Sequence, residues 1–105
     1  MNDKFLSLLG ISKRAGVLCP GHDSVKEAIS AKKAKLVIFS SDASERLKDE
    51  FIGKLGNDEA LIISTEYTMA DFFHATGNRA AVMCVTENGF AKRLKELFDE
   101  KYKEV

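Results

Sequence analysis

An α/β sandwich, a small β-sheet covered by helices on both faces, is the fold class this sequence predicts. Two observations carry it. The runs KLVIFS (35–40), ALIIS (60–64) and AAVMCV (80–85) are short, continuous and apolar, the pattern of strands buried on both faces. The segments between them repeat apolar residues at i, i+3 and i+4, the pattern of helices that bury one stripe. With 105 residues there is room for one domain with a real core, 1–105. A 45% hydrophobic and 30% charged composition excludes a disordered chain.

The elements follow in order. Residues 3–15 place Phe5, Leu8, Leu9 and Ser12 on one stripe, and Gly16 ends that helix as a C′ glycine does. VLC (17–19) reads as a short strand. PGH (20–22) interrupts the pattern before Val25, Ala28 and Ile29 share one face of a second helix over 23–32. After the strand at 35–40, Asp42 with Glu45 has the spacing of a capping box for a third helix carrying Leu47, Phe51 and Leu55. The strand at 60–64 is expected to be buried. Thr68 and Asp71 repeat the capping-box spacing, and Gly77 closes the fourth helix. The strand at 80–85 leads to a last helix, with Asn88 as the expected cap and Phe90, Leu94, Leu97 and Phe98 as its stripe.

Several function classes drop out. No apolar run is long enough to span a membrane, and acid and base interrupt the N-terminus before any signal-peptide layout forms. Cys19 and Cys84 make no disulfide framework, so a reducing cytoplasm is expected. The net charge is zero, but residues 1–40 hold seven basic against three acidic side chains, +4, which leaves −4 on the rest. A field follows this distribution, so the N-terminal part can attract a polyanion. Lys13, Arg14, Lys26 and Lys32 are expected to form one positive surface.

No catalytic constellation assembles. Cys19-x-x-His22 lacks a second pair at zinc spacing, because Cys84 falls in a strand and His74 in a helix. As nucleophile and base the same pair lacks an orienting group and an oxyanion site. Asp42 follows a strand as a phosphoacceptor would, yet the acidic pair and lysine of that chemistry are absent, and capping accounts for it. No glycine-rich phosphate loop is present. No metal, cofactor or enzyme activity is therefore expected. What remains are two glycine loops. Gly21 opens a helix whose N–H groups and positive dipole end suit an anion. ATGNRAA (75–81) offers Asn78 and Arg79 ahead of a strand, and Arg pairs with phosphate or stacks on a base.

The ordered set LLGISKRAG, GHDSVKEAI, AKKAKLVIFSSDAS and ATGNRAAVMCVTENGFAKRL resembles the ribosomal L7Ae/L30e superfamily of kink-turn RNA-binding proteins, in its bacterial YlxQ-like branch. The similarity runs from Phe5 to Phe98. It implies a three-layer α-β-α sandwich around a mixed four-stranded sheet. It also implies RNA contact through the start of the second helix and the loop before the last core strand, the two loops already singled out. Where kink-turn binders carry Gly-x-Asn-Glu-x-x-Lys, this chain has Gly21, Asp23, Ser24 and Glu27. The RNA-binding set expected here is Lys13, Arg14, Gly21, His22, Asp23, Ser24, Lys26, Lys32, Gly77, Asn78 and Arg79. Its lysines and arginine would hold phosphates, the glycine backbones would orient, and Asp23 and Arg79 would reach base or sugar edges. The expected protein is a monomeric, ribosome-associated RNA binder with no membrane partner. The rival is a protein-interaction module that kept the fold and lost its RNA.

Overall fold

A computed structural model describes residues 3–56 and 60–103, with side chains through Lys101. The element order is α1 (Lys4–Arg14), β1 (Leu18–Pro20), α2 (His22–Ser30), β2 (Leu36–Phe39), α3 (Glu45–Leu55), β3 (Leu61–Ser64), α4 (Met69–Thr76), β4 (Val82–Val85) and α5 (Asn88–Lys103). The four strands form one mixed sheet in the order β1-β4-β2-β3. β4 runs antiparallel to both β1 and β2, with Cys84 opposite Cys19 and opposite Val37, while β2 and β3 are parallel.

Alternation along the strands builds two cores. Leu36, Ile38, Met83 and Val85 pack with Leu9, Phe72 and Leu94 under α1, α4 and α5. Val37, Phe39, Val82 and Cys84 point the other way and pack with Val25, Ile29 and Phe51 under α2 and α3. Each fully buried side chain of this size contributes roughly 1.5–3 kcal/mol, which is why the central strands β2 and β4 carry no polar residue. Gly10 lets α1 lie directly on α4, since a Cβ there would stand 2.6 Å from the Ala75 carbonyl oxygen.

This topology sorts the loops. The ends of β1, β2 and β3 meet the start of β4 at one end of the sheet, which brings Gly21, the 40–44 and 65–68 loops and the 77–81 loop together. The opposite end holds the starts of β2 and β3 and the turn from β4 into α5.

Three expectations are corrected. β3 is an edge strand, with Leu61 45% and Ile62 37% exposed and only Ile63 buried among its apolar residues. The apolar run cannot reveal that one side of the strand has no neighbour. Asp42 does not cap α3. Ser44 does, accepting from the Leu47 N–H at 3.1 Å. Asn88 is the first residue of α5, and Glu87 caps it through the Phe90 N–H at 2.7 Å. That bond and one from Gly89 hold the Glu87 carboxyl below its ordinary range. The Thr68–Asp71 capping box and the left-handed Gly77 stand as expected.

Candidate nucleic-acid interface

Gly21 turns the chain from β1 into α2 with φ 95° and ψ 163°, a conformation open to glycine and costly for other residues. Its N–H donates to the Val82 carbonyl at 2.8 Å, which fastens the helix mouth to the start of β4. No side chain caps α2, whereas Asp3, Ser44, Thr68 and Glu87 cap the other four helices. No atom beyond the adjacent residues would lie within 4 Å of a Cβ added to Gly21. The mouth of α2 is therefore open backbone at the positive end of a helix dipole.

The 77–81 loop lies beside it. The Lys13 ammonium donates to the Asn78 side-chain oxygen at 2.6 Å and to the Thr76 carbonyl at 3.5 Å, bracing this loop against the end of α1. Arg79 is exposed, and its charge reaches Asp42. Asp42 accepts from the Ser40 hydroxyl at 2.6 Å and from the Met69 N–H at 3.1 Å, so it ties β2 to the start of α4. The Ser40 bond leads the causes that hold the Asp42 carboxyl below its ordinary range, with Met69 and Arg79 adding to it. The sequence signal was right in kind, an acid at a helix N-terminus, but the helix it serves lies 27 residues away.

His22 is exposed, and its ring is engaged by neighbouring side chains. Its Nε2 lies 2.8 Å from Glu50, its Nδ1 3.4 Å from Asp23, and its ring meets Phe51 edge-on at 5.0 Å. It fastens α2 to α3. Asp23 and Ser24 are exposed on the first turn of α2, and Lys26 follows one turn inside.

The expected single positive surface does not form. Lys13 and Arg14 belong to the α1/α4/α5 layer, with Arg14 lining a groove between α1 and α4. Lys26 and Lys32 lie on the α2/α3 side, and Lys32 sits at the far end of α2 from the mouth. Opposite faces of the sheet separate the two pairs. What the sheet brings to one end is Gly21, Asp23, Ser24 and the Gly77–Arg79 loop, with Lys13 reaching it from α1.

The thiols of Cys19 and Cys84 face each other across β1 and β4. Burial, then the neighbouring Cys19, pushes the Cys84 thiol up to about 12, which suits packing and not nucleophilic attack. No group of three metal-ligating side chains occurs among the described residues. Nor is any helix among them long and apolar enough to cross a membrane.

This arrangement of loops around a β1-β4-β2-β3 sheet has close counterparts. The profile of the Ribosomal protein L7Ae/L30e/S12e/Gadd45 family matches residues 3–94. The chain belongs to this family. It is 32% identical over 96 residues to the RNA-binding protein YlxQ of Enterococcus faecium, covering 91% of this chain and 92% of that one. Against RNA-binding protein YlxQ of Bacillus subtilis (strain 168) the identity is 31% over 97 residues, with 91% and 96% covered. A solved Bacillus halodurans protein of unknown function superposes with a TM-score of 0.85 at 31% identity, over 93% of this chain and 99% of that one. The Giardia lamblia 15.5kD RNA binding protein superposes at 0.72 with 13% identity, over 100% and 93%, a likeness of fold.

Proposed function

We propose that this family member is a single-domain, non-enzymatic, cytoplasmic RNA-binding protein that works as a monomer beside the ribosome. It docks structured RNA on the end of the sheet where the α2 mouth meets the 77–81 loop. One observation carries the reading: an uncapped helix N-terminus is fastened at 2.8 Å to the strand that Asn78 and Arg79 precede. Open N–H groups at a helix start bind phosphate, and a neighbouring arginine reads shape or stacks. The names of the YlxQ relatives support RNA as the partner class.

The side chains set the terms. Lys13, held to Asn78, shapes the loop and places a charge behind it, while Gly21 and Gly77 let a backbone approach. Glu27 is exposed on α2 and repels a phosphate where kink-turn binders of the superfamily place lysine. The test titrates a kinked and an unkinked RNA hairpin against three proteins. Gly21→Glu puts bulk and negative charge at the mouth and is expected to abolish binding. Glu27→Lys adds one charge-assisted contact, worth roughly 1.5–3 kcal/mol, and tightens the kinked RNA by about tenfold or more. If all three proteins bind both RNAs alike, this surface is not the RNA site and a protein-interaction role takes its place.

A further inference from the structure

Lys32 lies at the end of α2 away from its mouth. Lys32 follows α2 in the left-handed region, φ 58°, the only non-glycine among the described residues with positive φ. Its N–H donates to the Ile29 carbonyl at 2.9 Å, and the next N–H, from Lys33, donates to Ala28 at 2.8 Å. This is a Schellman ending, whose left-handed position favours glycine. A strained backbone held by a charged residue directs attention to what the charge does.

Lys32 lines two grooves. One, of about 310 Å³, runs between α2 and α3 and also holds Lys26 and Lys54. The other, of about 930 Å³, lies at the end of the sheet away from the α2 mouth and adds Lys35, Lys92 and Lys95, with Glu96 its one acid. Lys26 stands one turn inside the mouth, so α2 itself, His22 to Ser30, carries the path from one end of the sheet to the other. Lys26, Lys32, Lys35, Lys54 and Lys92 take no ion-pair partner among the described residues. Among the described residues Lys4, Lys13, Arg14, Lys33, Arg46 and Arg79 also take no ion pair, so what marks the five is their shared grooves. Of the groove lysines Lys95 alone is held, by Asp99 at 2.8 Å.

We infer that Lys26, Lys54, Lys32, Lys35 and Lys92 form a track for the phosphate backbone of a single RNA strand leaving the α2 mouth. The inference rests on the RNA reading of that mouth and extends it across the α2/α3 layer. Lysine is a point charge with three donors, suited to following a backbone without reading sequence. Two linked grooves that hold, among the described residues, five lysines without an ion-pair partner and one acid complement a polyanion.

The experiment uses the full chain and two probes, a blunt kinked hairpin and the same hairpin with uridine tails of about 12 nucleotides, a length near known single-strand site sizes. Binding is titrated between 50 and 200 mM salt, roughly the range over which phosphate contacts are lost. Wild-type protein is expected to bind the tailed RNA more tightly and with the steeper salt slope. Combining Lys32→Ala, Lys35→Ala and Lys92→Ala is expected to lower that slope by about 2, at about 0.7 per single-strand contact, and to leave the blunt hairpin unaffected. Lys32→Gly separates charge from folding, because it is expected to raise the thermal midpoint by about 4 °C while still weakening the tailed RNA.

If wild-type protein binds tailed and blunt RNA alike, or the triple variant keeps the tail's advantage, the track is overturned. If Gly21→Glu binds the blunt hairpin as wild type does, the mouth reading fails, and the tail-dependent slope still judges the track. Binding of neither RNA by wild type defeats both.

Discussion

α1 and α2 end in the same way and differ at one residue. At the end of α1, Gly16 donates to the Lys13 carbonyl at 3.1 Å and Val17 to Ser12 at 3.0 Å. At the end of α2, Lys32 and Lys33 make the corresponding bonds to Ile29 and Ala28. The left-handed residue is glycine in the first, φ 78°, and lysine in the second, φ 58°. Their beginnings differ too: Asp3 caps α1 through the Leu6 N–H at 3.0 Å, and nothing caps α2. α1 is finished as a structural helix, with Gly10 pressed on α4. α2 leaves its first turn open and its last turn strained. Local rules are obeyed throughout α1 and broken at both ends of α2, the helix on which the proposed RNA surface lies.

The largest effect should come from the packing side of this contrast. Gly10→Val would drive a branched side chain into the Ala75 carbonyl, and we expect a loss of about 3 kcal/mol, from overpacking and a restricted χ1. Chemical denaturation measures it, and a loss below about 1 kcal/mol would mean that α1 can slide on α4.

Exchanging the two endings sharpens the comparison. Gly16→Lys should cost about 1–2 kcal/mol, the usual cost of a left-handed L-residue. Lys32→Gly should gain no more than about 1 kcal/mol, because glycine also frees the unfolded chain. Equal and opposite changes would show two equivalent endings, whereas a stabilised Lys32→Gly that binds RNA less well would show that the lysine is kept for its charge.

The smallest effect concerns pH at the start of α1. The Tyr67 hydroxyl donates to Asp3 at 2.6 Å, Lys101 donates to the Tyr67 oxygen at 3.1 Å and to Glu66 at 2.8 Å, and Phe5 stacks on Tyr67. Partial burial pushes the Asp3 carboxyl up, but Tyr67, the Leu6 N–H and Lys101 outweigh it and hold the carboxyl below its ordinary 3.8. A lowered acid contributes stability above its unfolded value and loses it as pH falls, so stability should decline below about pH 4. Burial, then the bond to Asp3, raises Tyr67 from 10.0 to about 12. That stability is complete below pH 10.0 and is lost as pH rises toward 12. Asp3→Asn should flatten the acid limb in thermal unfolding scans, and an unchanged limb would place the titrating group elsewhere.

Much of this molecule was legible in the chain. Apolar patterning places the five helices and the strands β2, β3 and β4 of the described residues, because burying a stripe or a strand is a local demand on residue type. β1 (Leu18–Pro20) lies one residue beyond the short strand read at 17–19. The Thr68–Asp71 box and Gly16 are equally local, since cap and capped lie within one turn. The two glycine loops were also visible as breaks in the pattern, and the family resemblance put RNA at both.

What the sequence could not supply is which loop ends share a face, because that depends on strand order and direction. Asp42 serves α4 instead of α3, since the sheet carries β2 past the start of α4. β3 is an edge, which no property of ALIIS announces. Lys13 reaches Asn78 across 65 positions in the chain. Lys32, six positions from Lys26 in sequence, lands at the other end of the sheet, because a helix of nine residues spans about the length of a short strand. Residue chemistry by itself determined the elements and most of the core, and the family resemblance pointed to RNA as the class of partner. The tertiary structure alone decided how the charges were divided, because a sheet has two faces and two ends and a sequence has neither.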